Sequence, residues 1–175
     1  AQESRGLGDV YKRQGQDIDG EGAGDQSGYS VSLSSDGQTV AIGAFGNDGN
    51  GTSAGHVRIY ENISGSWSQI GQDIDGEEAN DWSGYSVSLS SDGQTVAIGA
   101  RLNDGNGSDA GHVRIYENIS GSWSQIGQDI DGEEAGDRSG YSVSLSSDGQ
   151  TVAIGADEND GNSYNAGHVR IYGIG

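Results

Sequence analysis

The chain has 175 residues, a formal net charge of −19, 33 glycines, and no proline, cysteine or methionine. The acidic excess repels phosphate, which argues against nucleic acid and against an anionic membrane surface as partners. No apolar run reaches the ~20 residues of a membrane-spanning helix, and without cysteine there is no disulfide, thiolate nucleophile or thiolate metal site. The charge suits hard cations, calcium above all, or serves only to keep a β-rich surface soluble.

Residues 1–14 stand outside the pattern that follows. They contain Arg5, Lys12 and Arg13, three of the eight basic residues, and read either as translated adapter sequence or as a disordered leader. With no initiator methionine, the chain reads as an internal piece of something longer.

From Gly15 a 56-residue unit repeats: 15–70, 71–126 and 127–175, the last cut short. A fixed period of this size signals a repeat architecture. At its centre is an unchanged 17-residue stretch beginning at Gly28, Gly84 and Gly140. In the second repeat it runs Tyr85 to Ser90, alternating serine with Val87 and Leu89. Asp92-Gly93 follows, then Thr95 to Ala100. Asp-Gly between such runs predicts a tight hairpin with both turn residues at positive φ. After a glycine-rich loop over 101–109 comes a third strand, His112 to Tyr116, with Val113 and Ile115 on one face. Asn118-Ile-Ser-Gly121 predicts a turn, and Trp123 to Ile126 a fourth strand extending toward Ile130. Glycine density and β-branched residues oppose helix throughout.

Four short antiparallel strands per repeat predict an all-β fold of β-propeller blades. A β-helix would repeat at shorter spacing, and a flat hairpin array would leave sheet edges exposed. Three blades do not close a ring, which typically takes about four to eight. The chain starts in a fourth strand, at Gly15–Asp19, and stops in a third, His168–Tyr172. The propeller is therefore expected to be partial, or to be completed by a homo-oligomer such as two copies making six blades.

Several residues, taken in order, resemble the FG-GAP repeat, the blade of integrin α-chain propellers, in its shorter variant. They are Asp81, Gly84, Ser86-Val87, Gly99-Ala100, Gly111-His-Val-Arg-Ile-Tyr116 and Trp123-Ser-Gln125. The resemblance covers Gly15 to Tyr172 and implies a secreted or cell-surface propeller. The repeat departs from the family where Ser83 stands in place of the name-giving phenylalanine. It also has only Ser91-Asp92-Gly93 where integrin-type repeats carry an Asp-x-Asp-x-Asp-Gly calcium loop. Calcium therefore does not follow from the resemblance.

Two acidic stretches offer calcium ligands of their own. In the strand 2–3 loop, Asp48, Asn50 and Thr52, and again Asp104, Asn106 and Ser108, place oxygens at alternate positions. Before strand 1, Asp73, Asp75, Glu77 and Asp81 form the second set, with equivalents at Asp17, Asp19, Glu21 and Asp25 and at Asp129, Asp131, Glu133 and Asp137. The competing reading is Asx-turn chemistry, in which these side chains hold their own backbone. His56, His112 and His168 recur once per repeat at the start of strand 3. They read as hydrogen-bonded strand residues, or alternatively as imidazole ligands for a transition metal. Trp67 and Trp123 read as inter-blade packing. No residue set supports catalysis, so the chain is read as a non-enzyme.

Eight columns differ between the repeats up to Tyr172. They are Gly22/Glu78/Glu134, Gly24/Asn80/Gly136, Gln26/Trp82/Arg138, Phe45/Arg101/Asp157, Gly46/Leu102/Glu158, Gly51/Gly107/Ser163, Thr52/Ser108/Tyr164 and Ser53/Asp109/Asn165. All fall in the strand 4–1 and strand 2–3 connections, which share one face of an up-and-down blade. Gln26, Phe45, Trp82, Arg101, Leu102, Asp109, Arg138, Asp157, Glu158 and Tyr164 are accordingly expected to line a face that binds a protein or a carbohydrate. Tolerated drift in surface loops, on a scaffold with no ligand of its own or on the non-catalytic part of a larger enzyme, is the alternative.

Overall fold

The structure, a computed structural model, describes residues 11–175. These residues contain thirteen strands and no helix. Ten of the fourteen leader residues lie outside the described region. The carbonyl of the last, Gln14, accepts the indole N–H of Trp67 at 3.0 Å.

The first sheet holds β1 (Ser30–Leu33), β2 (Thr39–Ala44), β3 (His56–Ile63) and β4 (Ser66–Gln69), in that order. The two-residue β5 (Ile74–Asp75) pairs with the opening of β3. The second sheet repeats this with β6 (Ser83–Leu89), β7 (Thr95–Ala100), β8 (His112–Ile119), β9 (Ser122–Gln125) and β10 (Ile130–Asp131). The third sheet has β11 (Ser142–Leu145), β12 (Thr151–Ala156) and β13 (His168–Gly173). The predicted fourth strand is thus two pieces. β9 pairs with the far half of β8 and β10 with its near half.

The turns correct the sequence reading. The pair with both residues at positive φ is Ser120-Gly121 (φ 53° and 87°), and likewise Ser64-Gly65, not Asp-Gly. Strand 3 runs on through Asn118 and Ile119 into this two-residue turn. At the Asp-Gly hairpin only Gly93 is left-handed. Five residues link β6 to β7, and Asp92 organises them. Its Oδ1 accepts from the Ser90 hydroxyl at 2.7 Å and from the Gln94 amide at 3.0 Å. A carboxylate that closes the loop on itself removes the need for a second positive φ.

Successive blades stack face to face. Val57 and Ile59 of the first sheet pack against Val87, Leu89, Val96 and Ile98 of the second. Val113 and Ile115 of the second pack in the same way against Val152, Ile154, Val143 and Leu145 of the third. The innermost strands approach closely because their facing residues are small. Ser30 Oγ donates to the Gly84 carbonyl and Ser86 Oγ to the Gly140 carbonyl, both at 2.7 Å. A Cβ on Gly43 or Gly99 would run into those same carbonyls. Ser32 Oγ accepts the Leu89 amide at 2.9 Å. Trp123 closes the outer edge, its indole N–H donating to Ile70 of the preceding blade at 3.0 Å.

The two opposite faces of the blade are left open, one at each end of the stack. Val31 and Leu33 on the first sheet are 63% and 60% exposed, and Val169 and Ile171 on the third are 66% and 70% exposed. The equivalent residues of the second sheet are buried. The described blades therefore form a partial propeller.

Candidate functional site: the variable loop face

The strand 4–1 and strand 2–3 connections lie side by side, as the blade reading expects. Buried Asp81 ties them together. Its Oδ2 accepts from Asn103 Nδ2 and from the Glu78 amide, each at 3.0 Å. Asp25 with Asn47, and Asp137 with Asn159, repeat the tie. Neighbouring blades join through main-chain bonds: the Trp82 amide donates to Ser53 O at 3.2 Å, and the Arg138 amide to Asp109 O at 3.1 Å. Because backbone makes these contacts, the side chains above them are free to differ.

At the opposite end the serine-rich hairpins join each other directly. The Ser35 amide donates to Ser91 O and the Ser91 amide to Ser147 O, each at 2.9 Å. The Ser35 hydroxyl also donates to Ser91 O, at 3.0 Å. Side chains are part of the joint there, so the identity of those residues in all three copies has a packing reason.

On the variable face the structure gathers Phe45, Trp82 and Arg101 around Tyr85. Ring centroids lie 5.6 Å from Tyr85 for Phe45, 6.2 Å for Trp82, 4.9 Å for Tyr29 and 5.5 Å for Tyr141. The Arg101 guanidinium lies 4.3 Å from the centre of Tyr85, 4.9 Å from Trp82 and 5.6 Å from Tyr141. It is held by ring faces: its buried Nε has no hydrogen-bond partner. Burial, the Tyr29 hydroxyl and neighbouring tyrosines push the Tyr85 phenol up from its ordinary value, so it stays neutral. The result is a continuous strip of aromatic surface, with Tyr29 and Tyr141 exposed at its ends and one cation laid across it. Sequence reasoning missed the tyrosines. Being identical in every repeat, Tyr29, Tyr85 and Tyr141 look like scaffold, and only their position beside the variable loops reveals them.

Backbone conformation marks the same column. Gln26, Trp82 and Arg138 are all left-handed, at φ 55°, 59° and 56°. That region costs a residue with a Cβ roughly 1–2 kcal/mol, yet no copy uses glycine. Trp82 turns its side chain onto Phe45, with centroids 4.9 Å apart. Arg138 meets Glu158 in an ion pair. Gln26 and Asp157 are exposed, Leu102 and Asp109 are half-buried, and Tyr164 is 84% exposed and outside the cluster.

The side chains singled out for calcium are largely engaged within their loops. Asp48 and Asp104 each accept, through Oδ1, the amide five residues on, at 2.7 and 2.8 Å. Asn50 and Asn106 cross to the next connection, donating to Gly76 O and Gly132 O at 2.8 Å. Thr52, Ser108, Asp75 and Asp131 are exposed, and the carbonyls of Asp75 and Asp131 accept Arg114 and Arg170. Asp73 and Asp129 differ. Each gives Oδ1 to a glutamine, Gln69 or Gln125, at 2.6 and 2.7 Å, and turns Oδ2 toward a buried histidine. The histidines do not make the ordinary strand hydrogen bond with these groups: the carboxylates stand 3.8–4.0 Å from Nδ1 of His56 and His112.

The FG-GAP repeat profile matches residues 18–60, 74–116 and 130–172. No curated protein matches the chain. Among solved structures, the chain is similar to a putative 6-phosphogluconolactonase of Bacteroides fragilis at 17% identity and a TM-score of 0.56. That alignment covers 86% of this chain and 35% of that one. It is also similar to Kuenenia stuttgartiensis hydrazine synthase, at 15% identity and a TM-score of 0.51, covering 83% and 33%. A third is the periplasmic gluconolactonase of Pseudomonas aeruginosa, at 20% identity and a TM-score of 0.50, covering 82% and 38%. At these identities the likeness is one of fold, and the chain spans about a third of the length of each.

Proposed function

The chain belongs to the FG-GAP repeat family, and from that footing we propose that it is a non-catalytic binding module of a secreted or cell-surface propeller. Its ligand is a protein or a glycan, taken on the face formed by the strand 2–3 and strand 4–1 loops. The observation that carries this reading is the aromatic strip crossed by Arg101. Rings with an accessible face and a guanidinium among them are the groups that dominate recognition surfaces. Trp82 in a left-handed conformation adds to it, because strain kept where glycine would relieve it points to a use for the side chain. The solved neighbours named as lactonases share the fold, which by itself transfers no reaction.

The two open sheet faces support completion of the ring, either by further blades or by a second copy. What the first sheet exposes is the surface that the second sheet buries against its neighbour.

The test is isothermal titration calorimetry against glycan and extracellular-protein panels, comparing the unaltered chain with Trp82→Ala and Arg101→Ala. Binding that weakens at least ten-fold in both variants supports the reading. A chain that binds nothing, or whose ligand is indifferent to both substitutions, leaves a scaffold whose loops have drifted.

A further inference from the structure

We propose that each of the first two blades holds, where its third strand meets the connection entering that blade, a divalent transition-metal ion of the zinc class, bound by Glu77, His112 and Asp129 in the second blade and by Glu21, His56 and Asp73 in the first. The three ligands come from different places. Glu77 sits on the connection arriving from the preceding blade, His112 opens β8, and Asp129 lies at the bend between β9 and β10. Their ligand atoms fall within 4.8 Å of one another, and the second set does the same.

His112 Nδ1 stands 3.9 Å from Glu77 Oε2 and 3.8 Å from Asp129 Oδ2. His56 Nδ1 stands 4.0 Å from Glu21 and 3.8 Å from Asp73. These gaps are too long for hydrogen bonds. Zinc bonds of about 2.0–2.2 Å would bring the three atoms together with closure of roughly half an ångström against the histidine and more between the carboxylates. Both carboxylates can move, because the Glu77 and Asp129 side chains are 41% and 30% exposed.

The groups behind the ligands are already in place. Asp129 Oδ1 is held by Gln125 Nε2 at 2.7 Å, which leaves Oδ2 for the metal. Glu77 Oε1 faces Arg114 Nη1 at 3.7 Å, which leaves Oε2. Arg114 is itself fixed by the Asp75 carbonyl at 2.7 Å and lies 5.5 Å from the centre of the Tyr116 ring. Such outer contacts orient a ligand set and are part of a metal site. The His112 ring is 1% exposed and is held with Nδ1 facing both carboxylates.

A nitrogen ligand selects zinc over calcium, which takes six to eight oxygens. The exposed carboxylates leave one side open for water as a fourth ligand. In the third repeat His168 Nδ1 and Glu133 Oε2 form the same pair at 3.6 Å.

The test uses the untagged chain stripped with chelator and titrated with zinc, read by calorimetry and native mass spectrometry. Two ions per chain are expected. His112→Gln should bind one, and His56→Gln with His112→Gln none. Asp129→Asn and Glu77→Gln change exposed groups and guard against a folding artefact; each should weaken one of the two sites at least ten-fold. X-ray absorption of the loaded chain should show imidazole bound to zinc. Absence of zinc binding, two ions retained by the double histidine variant, or calcium filling these positions without displacement by zinc would each overturn the proposal.

Discussion

Leu33 and Leu89 occupy the same position in identical 17-residue stretches, so any difference between them is tertiary. Leu89 is 7% exposed and Leu33 60%. The difference, 60 − 7 = 53%, is about half a side chain. Full burial of leucine contributes about 1.5–3 kcal/mol, so transfer alone separates the two sites by about 1–1.5 kcal/mol. Leu89→Ala also leaves a hole among Val57, Ile59 and Val96, whereas Leu33→Ala leaves none. Cavities raise buried Leu→Ala costs to about 2–5 kcal/mol. Leu89→Ala should therefore destabilise by about 3 kcal/mol and Leu33→Ala by under about 1 kcal/mol. Urea unfolding of both variants at low protein concentration measures this, with the slope unchanged and only the midpoint shifted. Equal losses at the two sites would refute the reasoning, because Leu33 would then have to be covered in solution. A Leu33→Ala cost that grows with protein concentration would identify the cover as a second copy.

Three more predictions concern the joints between and within blades. Ser86→Ala removes the hydroxyl that bonds the Gly140 carbonyl at 2.7 Å and should cost about 1 kcal/mol in the same assay. Gly99→Ala should cost more, since its Cβ enters the space of that carbonyl. Asp92 has its pKa lowered, first by the Ser90 hydroxyl and then by the Gln94 amide. Because the folded pKa lies below the unfolded one, its stabilisation is complete above the unfolded value and is lost as pH falls through the folded value. Asp92→Asn should lower stability at pH 7 and flatten the decline below about pH 4, where the unfolded carboxylate titrates. Urea midpoints taken from pH 7 to pH 3 would show it.

The repeat period, the strands and their order in each blade were legible from the chain alone. Alternation of Val and Leu with serine, the β-branched run at Thr95–Ala100 and glycines at fixed offsets are local signals, and local signals suffice for local elements. The loops that vary were legible too, and so was the fact that they share a face, since that follows from counting strands up and down. The turn type was not, because whether Asp92 or Ser120 takes positive φ depends on which side chain closes the loop.

What belongs to the tertiary structure alone is convergence and burial. Tyr85 becomes the hub of an aromatic strip only because Phe45 arrives from the blade before it and Tyr141 from the blade after. Glu77, His112 and Asp129 are far apart in the chain and meet only where one blade's connection crosses the next blade's third strand. Val31 and Val87 are the same residue in the same local sequence, one exposed and one buried. A repeated sequence specifies the same strand each time. Whether a face of that strand meets water or another sheet is decided by the neighbour that packs against it, and that neighbour lies a whole repeat away.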